Sequence, residues 1–136
     1  MLEPEFLSLA ELLEIHQDQI ARYGGEVGTR DLKLLESALG MPMATFGGQF
    51  LHPDLFEMAS AYLYHIVQNH PFVDGNKRTG AVAANVFLML NGFELAVSDA
   101  GLVETVLALA CGKISKAELA VYVCQHSRRR KTDDAC

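Results

Sequence analysis

The chain has 136 residues, enough for one domain with a buried core and too few for two of ordinary size. Half of the residues are apolar and 21% are charged, a globular balance that excludes a disordered or low-complexity protein. The formal net charge is −6. That argues against a long groove tracking nucleic-acid phosphates, so no direct nucleic-acid partner is expected, while small phosphates stay open.

The first fifteen residues carry Glu3, Glu5, Glu11 and Glu14 and no cation, unlike a secretory or transit peptide. The longest stretch without charge or strong polarity runs roughly from Gly80 to Leu90, interrupted by Asn85, and is short of the ~20 residues that a spanning helix needs. No membrane partner is expected, and the cytoplasm is the expected compartment. Cys111, Cys124 and Cys136 are odd in number and widely spaced, so they form neither a disulfide framework nor a metal pattern. Cys111 and Cys124 lie in apolar runs and read as small buried hydrophobes.

In chain order, Ser8-Leu9-Ala10-Glu11 reads as a capping box. Leu9, Leu12, Leu13 and Ile20 continue it at helical spacing until Gly24-Gly25. Thr29 is the expected cap of a second helix, ended by Gly40 and Pro42. Residues 41–51 break the helical pattern, and Gly47-Gly48 between short β-formers predicts a hairpin or flap. Pro53-Asp54 opens a third helix that Pro71 stops. After a loop, Arg78 or Thr79 is the expected start of a helix to about Leu90, apolar nearly all round and therefore central. Phe93–Val97 predicts a short strand. Ser98 and Asp99 cap a helix to about Cys111, and Ser115-Lys116-Ala117-Glu118 is a second capping box. The expected fold class is all-α: a compact bundle of about six helices with a small β-flap. One domain is expected over residues 1–127, followed by a frayed polar tail over 128–136.

The segment that carries chemistry is His70-Pro71-Phe72-Val73-Asp74-Gly75-Asn76-Lys77-Arg78. It is a loop running into the N-terminus of a buried helix. The first N–H groups of a helix lack internal partners and the dipole there is positive, so such an end binds anions, phosphate above all. Gly75 lets backbone approach a ligand closely. Asn76 can orient a phosphate oxygen or lock the loop onto itself. Lys77 and Arg78 add two cations. Asp74 is a hard oxygen donor, and Mg²⁺ takes one or two carboxylates plus substrate phosphates. His70 can take a proton from a hydroxyl near neutral pH. Base, metal ligand and phosphate cradle within nine residues are the parts for phosphoryl or nucleotidyl transfer to a hydroxyl.

This segment resembles the Fic/Doc family signature, His-x-Phe-x-Asp/Glu-x-Asn-Gly/Lys-Arg. Seven residue types at fixed offsets coincide by chance on the order of once in 10⁷ chains of this length. Gly24-Gly25 with Arg30-Asp31, the stretch Ala44-Thr45-Phe46-Gly47-Gly48, and Asn91-Gly92 resemble the death-on-curing (Doc) branch, so the likeness covers nearly the whole chain. The resemblance implies that His70 is the general base and Phe72 a core anchor for the loop. It implies that Asp74 holds Mg²⁺ and that Gly75, Asn76, Lys77 and Arg78 hold the phosphates of ATP, with Arg78 counted as catalytic beside His70. A flap with Thr45, Phe46, Gly47 and Gly48 would take the target as an added strand.

The reaction turns on two positions. Adenylylating members of the family carry Gly at the position of Lys77 and a second Arg at that of Ala81. Both departures match the Doc branch, which implies γ-phosphoryl transfer to a Thr or Ser hydroxyl of a translation factor resembling elongation factor Tu. Gly75 points the other way, since adenylylating members carry Gly there and Doc members Ala. The alternatives are therefore an adenylyltransferase, or a catalytically weak module that binds a partner. No inhibitory Ser/Thr-x-x-x-Glu-Gly/Asn segment is present, so the resemblance implies restraint of this toxin by a small antitoxin whose tail folds on binding.

Elsewhere the plain readings are preferred. His65 and His70 are five apart, not four, so they do not share a helix face as ligands. His16, His52 and His126 read as surface or packing residues. Phe46 and Phe50 serve equally well as core anchors of the flap or as target contacts. Arg128–Lys131 reads as a solvated cationic run.

Overall fold

The computed structural model describes residues 3–130. Helix α1 (Leu9–Tyr23) opens on the expected box: Ser8 Oγ accepts the Glu11 N–H at 3.1 Å and Glu11 Oε1 accepts the Ser8 N–H at 2.9 Å. Helix α2 (Leu32–Gly40) is capped by Asp31, whose Oδ1 accepts from Leu34 N–H, and not by Thr29. The reason is tertiary: Thr29 is drawn into an antiparallel bridge with Phe72 and lies three residues before the first residue of α2. A 3₁₀ turn, Met41–Met43, leads into the flap.

The flap is the predicted hairpin. Strands β1 (Thr45–Phe46) and β2 (Gln49–Phe50) pair Thr45 with Phe50 and Phe46 with Gln49. Gly47 and Gly48 between them both have positive φ, 60° and 81°, as a two-residue turn matched to strand twist requires. The two flap phenylalanines differ in their packing. Phe50 packs on Phe6 with ring centroids 5.8 Å apart, whereas Phe46 is 81% exposed.

Helices α3 (Leu55–Asn69, capped by Asp54) and α4 (Asn76–Leu90) form the centre. They pack along one another; α2 and α6 lie on α3, and α1 and β3 on α4. The close approach of α3 and α4 depends on small residues. A Cβ on Gly80 would meet Leu63 Cδ1 at 3.1 Å and the Leu63 carbonyl at 3.4 Å. Thr79, Gly80, Ala83, Ala84, Phe87 and Leu88 are buried, as the apolar pattern predicted. Tyr62 is also buried; its hydroxyl accepts the Leu7 N–H at 2.9 Å and ties the segment before α1 to α3. Burial pushes the Tyr62 hydroxyl up to about 12.

Strand β3 (Phe93–Leu95), helix α5 (Asp99–Ala110, capped by Ser98) and helix α6 (Lys116–Gln125, opening on the Ser115–Glu118 box) follow in the expected order. Two expectations are corrected here. The segment from residue 128 does not begin as a frayed tail. Ser127–Arg129 is strand β4, antiparallel to β3, with Glu94 opposite Arg128 and an ion pair between them at 3.0 Å. Pairing with β3 satisfies backbone groups that a solvated run would leave to water. Residues 131–136, including Cys136, lie outside the described residues. Cys111 and Cys124 are exposed, not buried: Cys111 caps the end of α5, and Cys124 lies on the outer face of α6.

Candidate active site

The loop between α3 and α4 is held by more of the chain than its motif suggests. Its backbone pairs with the loop after α1: Arg30 and Asp31 N–H donate to the Pro71 carbonyl, and Val73 N–H donates to the Gly28 carbonyl. Phe72 is fully buried. The His16 ring lies flat against it, centroids 3.9 Å apart and planes 6° apart, and His16 Nε2 donates to the Asp74 carbonyl at 2.8 Å. His16 is 2% exposed. It occupies the buried face of α1 with Leu12, Gln19 and Ile20.

His70 ends α3 in the left-handed conformation, φ 49° and ψ 54°, and is the one non-glycine residue with positive φ among the described residues. Such backbone costs about 1 kcal/mol and persists where its surroundings over-determine it. Arg30 does so from one side. Its Nε donates to the His70 carbonyl at 2.7 Å and its Nη2 to the Asn69 carbonyl at 3.0 Å, a cation on the negative end of α3. Asn69 Nδ2 in turn donates to the Leu34 carbonyl. Asn76 holds the other side: its Nδ2 lies 3.1 Å from His70 Nδ1.

Helix α4 begins at Asn76, two or three residues before the start expected at Arg78 or Thr79. Gly75, at φ 78°, is the residue before its first turn and supplies no side-chain cap. Among the described residues the five other α-helices are all capped by a Ser or Asp side chain. The open end of α4 therefore keeps the N–H groups and the positive dipole end that favour a phosphate. Lys77 and Arg78 stand exposed beside it, and the Arg78 guanidinium lies over the Tyr23 ring, 5.0 Å from its centroid. Asp74 is exposed; Oδ2 accepts the Glu26 N–H at 2.9 Å. Among the described residues Asp74 joins no ion pair. One uncompensated carboxylate beside an amide-lined anion cradle suits Mg²⁺, which binds through few protein oxygens and the phosphates of its substrate.

The fold thus brings His70, Asp74, Gly75, Asn76, Lys77 and Arg78 onto one loop and one helix end. Asn76, however, is 4% exposed. Its amide is taken up inside the loop: Oδ1 accepts the Phe72 N–H at 2.9 Å and Nδ2 donates to the Phe72 carbonyl at 3.0 Å. Of the two roles weighed for it, the structure has Asn76 locking the loop. The flap residues Thr45, Phe46, Gly47 and Gly48 are grouped in the hairpin between α2 and α3 and are all exposed. The sequence placed His16 among surface or packing residues without tying it to this loop, and left Arg30 without a role. For His16 the signal available was its face, since Leu12, His16 and Ile20 recur every four residues.

A cleft of about 470 Å³ adjoins the first turn of α4. Lys77 and Arg78 stand at its rim, and Tyr23, Val82, Val103 and Leu107 form apolar walls from α1, α4 and α5.

Comparison with known proteins bears on this loop. The description of the Fic/DOC family matches residues 6–88. A protein named Toxin Doc from Mycolicibacterium smegmatis is 46% identical over 74 residues, 54% of this chain and 57% of that protein. A protein named Protein kinase doc from Escherichia phage P1 is 34% identical over 114 residues, 84% of this chain and 89% of that protein. The chain spans little more than half the length of the first relative and most of the second.

Proposed function

The chain belongs to the Fic/DOC family, and from that premise we propose that it is the toxin of a toxin–antitoxin pair. Its activity is that of an ATP-dependent kinase acting on a Thr or Ser hydroxyl of a translation factor such as elongation factor Tu. One observation carries this reading: a histidine, a carboxylate that joins no ion pair among the described residues, and two cations share the uncapped entrance of a buried helix. The names of the two relatives, one a toxin and one a protein kinase, support it.

In this reading the N–H groups at the start of α4, with Lys77 and Arg78, grip the phosphates of ATP. Asp74 would hold Mg²⁺, which neutralises phosphate charge during transfer. His70 takes the proton of the target hydroxyl, and the oxygen displaces ADP from the γ-phosphorus. The flap presents its exposed edge and Phe46 to an extended segment of the target, which adds as a strand by main-chain pairing. The antitoxin tail folds as an amphipathic segment into the cleft beside Lys77 and Arg78. There Tyr23, Val103 and Leu107, 64%, 56% and 48% exposed, offer apolar contact.

Adenylyl transfer is the second reading, favoured by Gly75. The structure supplies a reason for glycine that is independent of the reaction. At φ 78° a Cβ would be strained, and it would meet Ile20 Cδ1 at 3.1 Å. Lys77, at the position where adenylylating members carry Gly, therefore weighs more. The test uses ATP labelled on the α- or the γ-phosphate, with translation factors as acceptors and His70→Ala as the control. Label moving from γ alone, and lost in His70→Ala, supports the kinase. Label moving from α alone replaces it with adenylylation. A folded His70→Ala variant that still arrests growth leaves only a binding role.

A further inference from the structure

We infer that Asn76 is a positioning residue that fixes the neutral His70 ring with its proton on Nε2. The solvent-facing nitrogen then gives a hydrogen bond in the resting chain and does not take one. The consequence for turnover rests on the transfer reading above; the ring state itself does not.

The argument starts from the amide. Its oxygen can only accept and its nitrogen can only donate. Oδ1 of Asn76 accepts the Phe72 N–H and Nδ2 donates to the Phe72 carbonyl. Turning the amide over would set nitrogen against an N–H and oxygen against a carbonyl, two repulsive contacts at a site 4% exposed. The Phe72 backbone therefore decides the orientation, and buried Phe72 is itself immobilised by the His16 stack. The second N–H of Nδ2 is left for His70 Nδ1, 3.1 Å away. A ring nitrogen that accepts from an amide carries no proton, so the neutral imidazole holds its proton on Nε2.

The basic lone pair thus faces Asn76. His70 is exposed, but what it offers outward is an N–H. That N–H suits a phosphate or hydroxyl oxygen and cannot receive a proton. For His70 to act as a base, Nδ1 must leave Asn76, as a half-turn about Cβ–Cγ achieves. The hydroxyl proton then passes to Nδ1, giving an imidazolium with an N–H on each nitrogen. The hydroxyl oxygen forms its bond to the γ-phosphorus as the bond to ADP breaks, and that electron pair stays on the β-phosphate oxygen. A ring left in place would instead set its new N–H against the Asn76 amide, donor against donor. Opening of the Asn76–His70 contact is therefore a step on the path to transfer.

The test is a tautomer measurement on the full chain. Long-range proton–nitrogen spectra of ¹⁵N-histidine-labelled protein, recorded where the ring is neutral, report which nitrogen is protonated. The wild type is expected to show Nε2–H alone at His70. Asn76→Ala should relax the ring to a mixture of both forms. Asn76→Asp, whose carboxylate accepts from Nδ1–H, should move the proton to Nδ1. Nδ1–H or a mixture in the wild type overturns the inference, as does an unchanged ring in a folded Asn76→Ala variant. The wild-type spectrum decides alone should the variants not fold. Failure of γ-label transfer with the Nε2–H ring intact removes the transfer reading only; γ-transfer by a chain with an Nδ1–H ring removes this inference only.

Discussion

Removing the His16 ring tests how far the loop between α3 and α4 depends on α1. The ring is stacked at 3.9 Å on Phe72 and donates at 2.8 Å to the Asp74 carbonyl, and both His16 and Phe72 are buried. His16→Ala loses the stack, worth about 1 kcal/mol, and the hydrogen bond, worth about 1 kcal/mol. It also leaves a cavity against Phe72, so the total loss is about 2–4 kcal/mol. His16→Phe keeps an aromatic ring on Phe72 and loses only the N–H, so it should cost about 1 kcal/mol. Urea denaturation with a shared slope measures both. The γ-label assay on the same proteins reads the loop, and transfer should fall in both variants because the Asp74 carbonyl loses its bond to α1. Wild-type stability and transfer in His16→Phe would show that the hydrogen bond to Asp74 holds nothing. A loss under about 1 kcal/mol in His16→Ala would remove the stack from the account as well.

Two further outcomes follow from single groups. Gly75→Ala should cost about 1–2 kcal/mol for the left-handed backbone, with a further loss from the 3.1 Å approach to Ile20 Cδ1. Adding Ile20→Val, which deletes that atom, should recover only the second part in denaturation; full recovery would refute a backbone origin. His65 is pushed down to about 4 by burial first and by Lys116 and His52 next, and Lys116 Nζ lies 2.9 Å from its Nε2. A folded value below the unfolded one means that the stabilisation is complete above about pH 6.5 and is lost as pH falls toward 4. The shift corresponds to about 3 kcal/mol, and screening at this half-buried ring cuts that to about 1–2 kcal/mol. His65→Gln should flatten that acid slope in denaturation scans from pH 7 to 4; an unchanged slope would exclude His65 as its source.

The helices, the hairpin and the chemical segment 70–78 were legible in the sequence because each depends on local rules. Ser8 and Ser115 cap through residues three positions on, Gly47-Gly48 supplies two positive φ angles, and the apolar run after Arg78 has nowhere to go but the core. What the tertiary structure alone decided involves partners distant along the chain. Thr29 lost its expected cap to Phe72, and Ser127–Arg129 became a strand only because β3 lay beside it. The same holds at the site. The types and spacing of His70, Asp74 and Asn76 were visible in one dimension, but the strain at His70, its clamp by Arg30 forty residues away, and the direction of the Asn76 amide were not. Short-range hydrogen bonds are written into adjacent residues. Which nitrogen of a ring carries a proton depends on neighbours that only folding brings within 3 Å or so.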